Sequence, residues 1–291
     1  MIEFLLKETN TKPLIIHGAG KSKTVPGGVW DTLQSMFYTH INIFQKYPGL
    51  NSIDQNDITI VTWKGGKYLH QKTILETCAE YYDFPIVILK WPDRASFWEG
   101  CRTKLTSTLG AIEDGLIKTK YIMYLDVSDV ILLDHPMVIL NRYLDLFPEK
   151  IVFNAERNHY PKNEVIGKRC PRIDPLVKSR FDKVFNFDLL KTHTEFKYLN
   201  GGVAIGKTND FKEFLEYATS PETQCGIDIS PPITSQFILR IAQHDKREKV
   251  VLDDECKLFT CLYNGPVEGD NMGEGRPASE INMQDVEIKA G

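Results

Sequence analysis

A chain of 291 residues, 42% hydrophobic and 25% charged, is long enough to bury one large α/β core or two small ones. Its formal net charge of −4 and pI near 6.0 exclude the whole-chain basic footprint of a non-specific nucleic-acid binder. No apolar run approaches the ~20 residues that span a bilayer, the opening MIEFLLKETNTK is not a basic secretory leader, and six scattered cysteines without a C-x-x-C pair suit reduced thiols rather than zinc, so a cytoplasmic protein without a membrane partner is expected.

The first patterned stretch is PLIIHGAGKSKT, residues 13 to 24, where an apolar run ends in His17, Gly18, Gly20 and Lys21. It nearly spells a phosphate-binding P-loop, but the position that needs the first glycine holds Ile15, a β-branched residue poorly suited to positive φ. The stretch reads instead as a strand that carries a histidine into a small glycine turn with a lysine behind it. From residue 58 strand-like and helix-like text alternates, the pattern of helices packed on a mostly parallel sheet. ITIVTW (58–63) reads as a buried strand, TILETCAEYY (73–82) as a helix, PIVILKW (85–91) as a strand, 101–117 as a helix and KYIMYLD (120–126) as a strand ending in acid. Pro136 sits at a favoured first helical position of HPMVILNRYLDLF, and KIVFNAE (150–156) is a further strand.

Residues 157–196 are rich in Pro, Arg and Lys and predict a long excursion, part lid or acceptor-binding insert. KYLNGGVAIGK (197–207) is a strand with a central Gly-Gly, followed by an Asn209 or Asp210 cap and the helix FKEFLEYA. SQFILRIAQH is another helix, KVVLDDECKLFTCLY (249–263) breaks into two strands, and from 264 onward the chain reads as a flexible segment. The expected class is α/β, with a mixed, mostly parallel, Rossmann-like sheet flanked by helices. A segment 1–56 carries the histidine, 57–263 forms the core and 264–291 the tail.

YIMYLDVSDVILL, residues 121–133, carries the sharpest chemistry. It delivers Asp126 and Asp129 at the carboxyl end of an apolar strand, the edge where open α/β sheets bind ligands. Two hard carboxylates suit Mg²⁺ or Mn²⁺ shared with substrate phosphates; the competing reading is an acidic cap with Asp129 solvated or starting a turn. After the two acids come, in order, FNAERNHYP (153–161), YLNGGVAIG (198–206), SQF (235–237) and LDDECKLF (252–259).

This ordered set resembles the glycosyltransferase domain of the procollagen lysyl hydroxylases, a GT-A-type fold that uses a nucleotide sugar and Mn²⁺. In that family a His-Gly-x-Gly turn with a following Lys lies at the C-terminal end of the domain and its His completes the metal site. Here the matching text, PLIIHGAGKSK, stands at the front, so the resemblance implies a circular permutation, which neighbouring termini make tolerable.

The resemblance implies that Asp126, Asp129 and His17 hold Mn²⁺ (or Mg²⁺) against the diphosphate of a UDP-sugar, with Lys21, Gly18 and Gly20 beside the phosphates. His17 read alone is a satisfied strand-end histidine, since metal ligation by a lone His cannot be read from one sequence. Thr62 matches a position lining the uridine pocket, or is simply a strand residue. Lys104 matches a helix lysine that pairs with phosphate or with an aspartate, or is a solvated helix lysine. Glu156 and Asn200 match sugar-side residues, the first stabilising an oxocarbenium-like transition state or orienting the acceptor hydroxyl, the second anchoring sugar hydroxyls. Glu156 read alone is a salt-bridge partner for Arg157 or for the basic insert that follows it. Gly201 and Gly202 either admit a substrate or neighbouring strand close to the backbone or mark a β-bulge.

Where the family has consecutive aspartates before Gln-x-F, this chain has PPITSQF, with Ile233, Thr234 and Ser235 in place of acids. The expected activity is transfer of sugar from a UDP-sugar to a hydroxyl, on a hydroxylated side chain, a saccharide or a hydroxymethylated pyrimidine of viral DNA. The alternatives are a nucleotide-sugar-binding module that has lost transfer and, more weakly supported, a P-loop-like phosphotransferase.

Overall fold

The computed structural model describes residues 2–7, 9–19, 28–43, 57–90, 97–157, 194–220, 223, 235–262 and 286–290. Of the excursion expected at 157–196, residues 158–193 lie outside the described residues, as do residues 263–285, which take in most of the flexible segment expected from 264 onward.

The chain is mixed α/β, and its centre is a six-stranded mixed sheet compatible with a Rossmann-like fold. Its strands are β3 (Ile58–Lys64), β4 (Ile86–Lys90), β5 (Tyr121–Leu125), β7 (Ile151–Glu156), β8 (Tyr198–Lys207) and β9 (Val250–Asp253), in the spatial order β4-β3-β5-β8-β7-β9. β4, β3 and β5 run parallel, as do β7 and β9; β8 is antiparallel to both its neighbours. β5 and β7 are buried along their whole length, as strands covered on both faces must be.

Helices cover both faces. α1 (Val29–Ile43), α2 (Ile74–Tyr81) and α4 (Pro136–Leu146) supply Trp30, Leu33, Leu75, Ile139 and Tyr143 to one core. α3 (Phe97–Glu113), α5 (Thr208–Thr219) and α6 (Ser235–Asp245) supply Leu105, Phe211, Phe214, Phe237 and Ile241 to the other. Local signals set several ends. Thr73 and Glu76 close a reciprocal capping box on α2, and Pro136 opens α4 behind His135, whose Nδ1 accepts Met137 N–H at 3.2 Å.

Against the core that holds α1 lies a three-stranded sheet of β10 (Phe259–Cys261), β2 (Ile15–His17) and β6 (Val130–Leu132). β2 is parallel to β10 and antiparallel to β6. β1 (Ile2–Leu6) and β11 (Val286–Ala290) form an antiparallel ribbon that sets Ile2 opposite Ala290. Among the described residues no helix is long and apolar enough to cross a membrane.

The expected alternation is observed, with specific departures. The helix expected at 101–117 runs from 97 to 113, and Gly115 at φ +68° turns the chain out of it. Neither Asn209 nor Asp210 caps α5: the helix starts at Thr208 behind Lys207 without a side-chain cap, because the strand feeds straight into it. β1, α1 and β6 add to the expected elements, and part of the segment expected to be a flexible tail, 286–290, is a strand.

Candidate metal centre

Three separate pieces of chain bring one acid-rich cluster together at the carboxyl edge of β3, β5 and β7. β5 ends at Leu125, and the turn DVSD throws Asp126 and Asp129 outward before β6 begins at Val130. Because β6 pairs antiparallel with β2 and sets Val130 opposite His17, this turn lies beside the histidine that ends β2. Gly18 N–H donates to the carbonyl of Asp129 at 2.8 Å, and Leu262 N–H donates to the carbonyl of His17 at 2.9 Å, tying the histidine to both strands. His17 Nε2 then stands 3.8 Å from Asp126 Oδ2 and 3.7 Å from Asp129 Oδ1.

One atom from each of His17, Asp126 and Asp129 lies within 4.8 Å of the others, and His17 and Asp129 are buried. Two carboxylate oxygens and an imidazole nitrogen are the donor set for a hard or borderline divalent ion. An ion with ligand distances of about 2.1–2.3 Å places adjacent ligands roughly 3.0–3.5 Å apart, so each of the two imidazole–carboxylate distances would close by a few tenths of an ångström. The backbone is shaped around this cluster. A Cβ built on Gly202 would lie 2.3 Å from His17 Cε1, 2.7 Å from His17 Nε2 and 2.9 Å from Asp126 Oδ2. Only a residue without a Cβ lets β8 pass there.

Gly202 reaches this position through a bulge. β7 and β8 pair at Phe153/Ala204 and again at Ala155/Leu199, so Asn154 alone stands opposite Asn200, Gly201, Gly202 and Val203. The bulged strand leans toward β5, where Asp126 N–H donates to the Gly202 carbonyl at 2.7 Å. Of the two readings of the glycine pair the β-bulge is the one observed, and the groups that approach Gly202 closely are the side chains of His17 and Asp126.

Lys104, from α3, makes an ion pair with Asp126 Oδ1, and its Nζ lies 5.5 Å above the ring of buried Trp63. Of its two expected partners, the aspartate is the one observed. Thr62 precedes Trp63 on β3, one residue beyond the last registered pair with β5, Val61 with Tyr124. It is fully buried, and its hydroxyl has no hydrogen-bond partner among the described residues. Gly18 packs its α-carbon against the indole of Trp30, where a Cβ would come within 2.3 Å of Cε3. Its N–H is already engaged by Asp129, while Gly20 and Lys21 lie outside the described residues.

Beyond Gly202 lies a second polar group around Glu156, which is 3% exposed at the end of β7. Asn200 Nδ2 donates to Glu156 Oε2 at 3.3 Å, Gln236 Nε2 donates to Oε1, and the Cys261 thiol approaches Oε2 at 3.9 Å. Burial pushes the carboxyl up to about 7, against the amide hydrogen bonds and the nearby charges of His17 and Arg240. Arg157 lies instead against Glu195 at 3.5 Å and over the Phe196 ring, so the Arg157 pairing proposed for Glu156 is replaced by this amide setting.

Gln236, Arg240 and Cys261 were not assigned roles from sequence. Arg240 left a signal: it is a charge inside the apolar helical run FILRIA, four residues after Gln236 and therefore on the same helix face, and it is 1% exposed.

No model of a known protein family matches the chain. Over 161 residues it is 27% identical to an uncharacterized protein of Acanthamoeba polyphaga mimivirus, a stretch that makes up 55% of this chain and 28% of the relative. The chain thus spans less than a third of the length of the viral protein it matches. That similarity assigns no activity, and the chemistry rests on the residues themselves.

Proposed function

We propose that the chain is a metal-dependent glycosyltransferase of GT-A type that moves sugar from a UDP-sugar to a hydroxyl acceptor. The observation that carries this reading is the convergence of His17, Asp126 and Asp129, from β2 and the β5–β6 turn, beside a glycine bulge and a lysine at the ligand-binding edge of the sheet.

The charges support it. Two carboxylates and one ammonium leave the cluster with one net negative formal charge. A divalent ion makes it net positive, matching a diphosphate. Bound there, Mn²⁺ or Mg²⁺ supplies neutralisation of the negative charge that develops on the departing nucleoside diphosphate. His17, Asp126 and Asp129 would hold it. Lys104 is placed to exchange Asp126 for a phosphate oxygen. The buried Thr62 hydroxyl, without a partner among the described residues, suits a polar group of the nucleoside. Glu156 offers a carboxylate across the bulge from the metal ligands, where a sugar linked to the diphosphate would extend.

The permuted order is supported by the pairing of β2 with β10, which brings the N-terminal histidine strand against the strand after LDDECKLF. The ribbon of β1 and β11 shows that the two ends of the described chain lie side by side. The acceptor is proposed as a hydroxyl on a side chain, a saccharide or a hydroxymethylated pyrimidine.

The test is UDP release from a panel of UDP-sugars with Mn²⁺ present or chelated. Metal-dependent release that Asp129→Ala abolishes is the expected result. Metal-dependent UDP binding with no release or transfer from any donor would favour the second reading, a nucleotide-sugar-binding module. Ser235, buried where the resembled family has an acid, favours that alternative.

A further inference from the structure

Asn200 and Gln236 have their amide orientations dictated by the backbone. Gly202 N–H donates to Asn200 Oδ1 at 2.9 Å, and Gly201 N–H donates to Gln236 Oε1 at 3.3 Å. Turning either amide over would set an NH₂ against a backbone N–H, donor against donor. Each amide must therefore present its nitrogen to Glu156, one on each carboxylate oxygen. Asn200 Nδ2 also lies 3.8 Å from Cys261 Sγ, so its donor side faces the protein interior. Gly201 is held from the other side too, since a Cβ there would meet Gln236 Cα at 3.2 Å.

We infer that Asn200 and Gln236 are positioning residues that lock Glu156 as a hydrogen-bond acceptor of fixed orientation, and that consecutive bulge N–H groups of Gly201 and Gly202 set both locks. The same bulge carries the Gly202 carbonyl that accepts from Asp126 N–H, so one short segment orients the acid on one side and a metal ligand on the other. Asn200, which the resemblance expects to anchor sugar hydroxyls, engages Glu156 and Gly202. Gln236, which joins α6 to the bulge, holds Glu156 from a third element.

The inference deepens the proposed transferase site and rests on it for its catalytic meaning, but the lock itself is read independently of activity. The variants are Gln236→Met, which keeps length and removes both hydrogen bonds, and Gln236→Glu, which can still accept from Gly201 but no longer donates to Glu156. The direct readout is the carboxyl ¹³C titration of Glu156, assigned with Glu156→Gln.

Removing a donor from a carboxylate raises its titration midpoint, so Gln236→Met and Gln236→Glu should both move Glu156 upward from about 7. The kinetic readout is a double-mutant cycle on UDP-sugar turnover. Gln236→Met should lower kcat about 10–100-fold, the range for outer-shell partners, with KM changed less than about twofold. In the Glu156→Gln background the same substitution should cost almost nothing further. An unmoved Glu156 titration in both variants, with thermal stability retained, overturns the lock. Additive kinetic losses overturn its action through Glu156. Absence of any turnover in the unmodified protein counts against the transferase reading alone, and the titration still decides the lock.

Discussion

Gly202→Ala adds a single methyl group at the point where β8 passes the candidate metal ligands. Gly202 is not among the residues with positive φ, so alanine meets no backbone strain there. Its Cβ, however, would lie 2.3 Å from His17 Cε1, 2.7 Å from Nε2 and 2.9 Å from Asp126 Oδ2, all inside the closest approach real Cβ atoms show. His17 is 3% exposed and held by backbone hydrogen bonds on both flanks, so it cannot swing freely into solvent. Overpacking of this kind costs about 1–3 kcal/mol, offset by the roughly 0.5–1 kcal/mol that replacing a strand glycine returns. At about 2 °C per kcal/mol for a chain of this size, the melting temperature should fall by up to about 5 °C. Mn²⁺ affinity, measured by isothermal titration, should fall more than tenfold, because the methyl occupies the space between imidazole and carboxylate. Adding His17→Ala should recover part of the lost stability by vacating that space. A Gly202→Ala protein with unchanged melting temperature and unchanged Mn²⁺ affinity would refute the packing reasoning.

Lys104→Met removes the ammonium paired with Asp126; Mn²⁺ titrated without nucleotide should bind several-fold tighter, while UDP titrated with Mn²⁺ present should bind more weakly. The Glu156 carboxyl is raised from 4.5 to about 7 by burial, so its folding contribution is fully present below about pH 4.5 and is lost as pH rises through about 7. Metal-free urea unfolding should show Glu156→Gln removing a stability decline on the order of a few kcal/mol between those limits. Asp253→Ala strips a buried carboxylate that accepts N–H groups of Lys257, Leu258 and Phe259 at 2.9, 2.7 and 2.8 Å; urea unfolding should show a loss of roughly 2–5 kcal/mol.

What could be read from the sequence, and what could not, follows the range of the forces involved. The strands 58–64, 121–125 and 151–156 were legible because burial on both faces demands continuous apolar text. Asp126 and Asp129 stood out as acids ending such a run. The nearness of His17 to the two aspartates was legible only through the order of short motifs, since nothing local sets it apart from any other buried strand-end histidine. β1 was missed because a five-residue strand is fixed by its partner, and that partner begins at Val286. Gln236 and Cys261 were missed as neighbours of Glu156 because the contacts span 80 and 105 residues. The bulge at Asn200–Val203 was visible as Gly-Gly, but its direction toward His17 depends on β2 lying beside β6.

The proposed centre of His17, Asp126 and Asp129 holds a divalent ion through which UDP is bound. It is tested most directly by thermal melts with UDP, with and without Mn²⁺, on the intact chain and on His17→Ala. A ligand at about a hundred times its Kd stabilises the native state by about 2.7 kcal/mol, or roughly 5 °C here. The shift is expected only when UDP and Mn²⁺ are both present, and it should be lost in His17→Ala. Equal shifts in both proteins would make His17 structural, and no shift under any metal would contradict the nucleotide-sugar site itself.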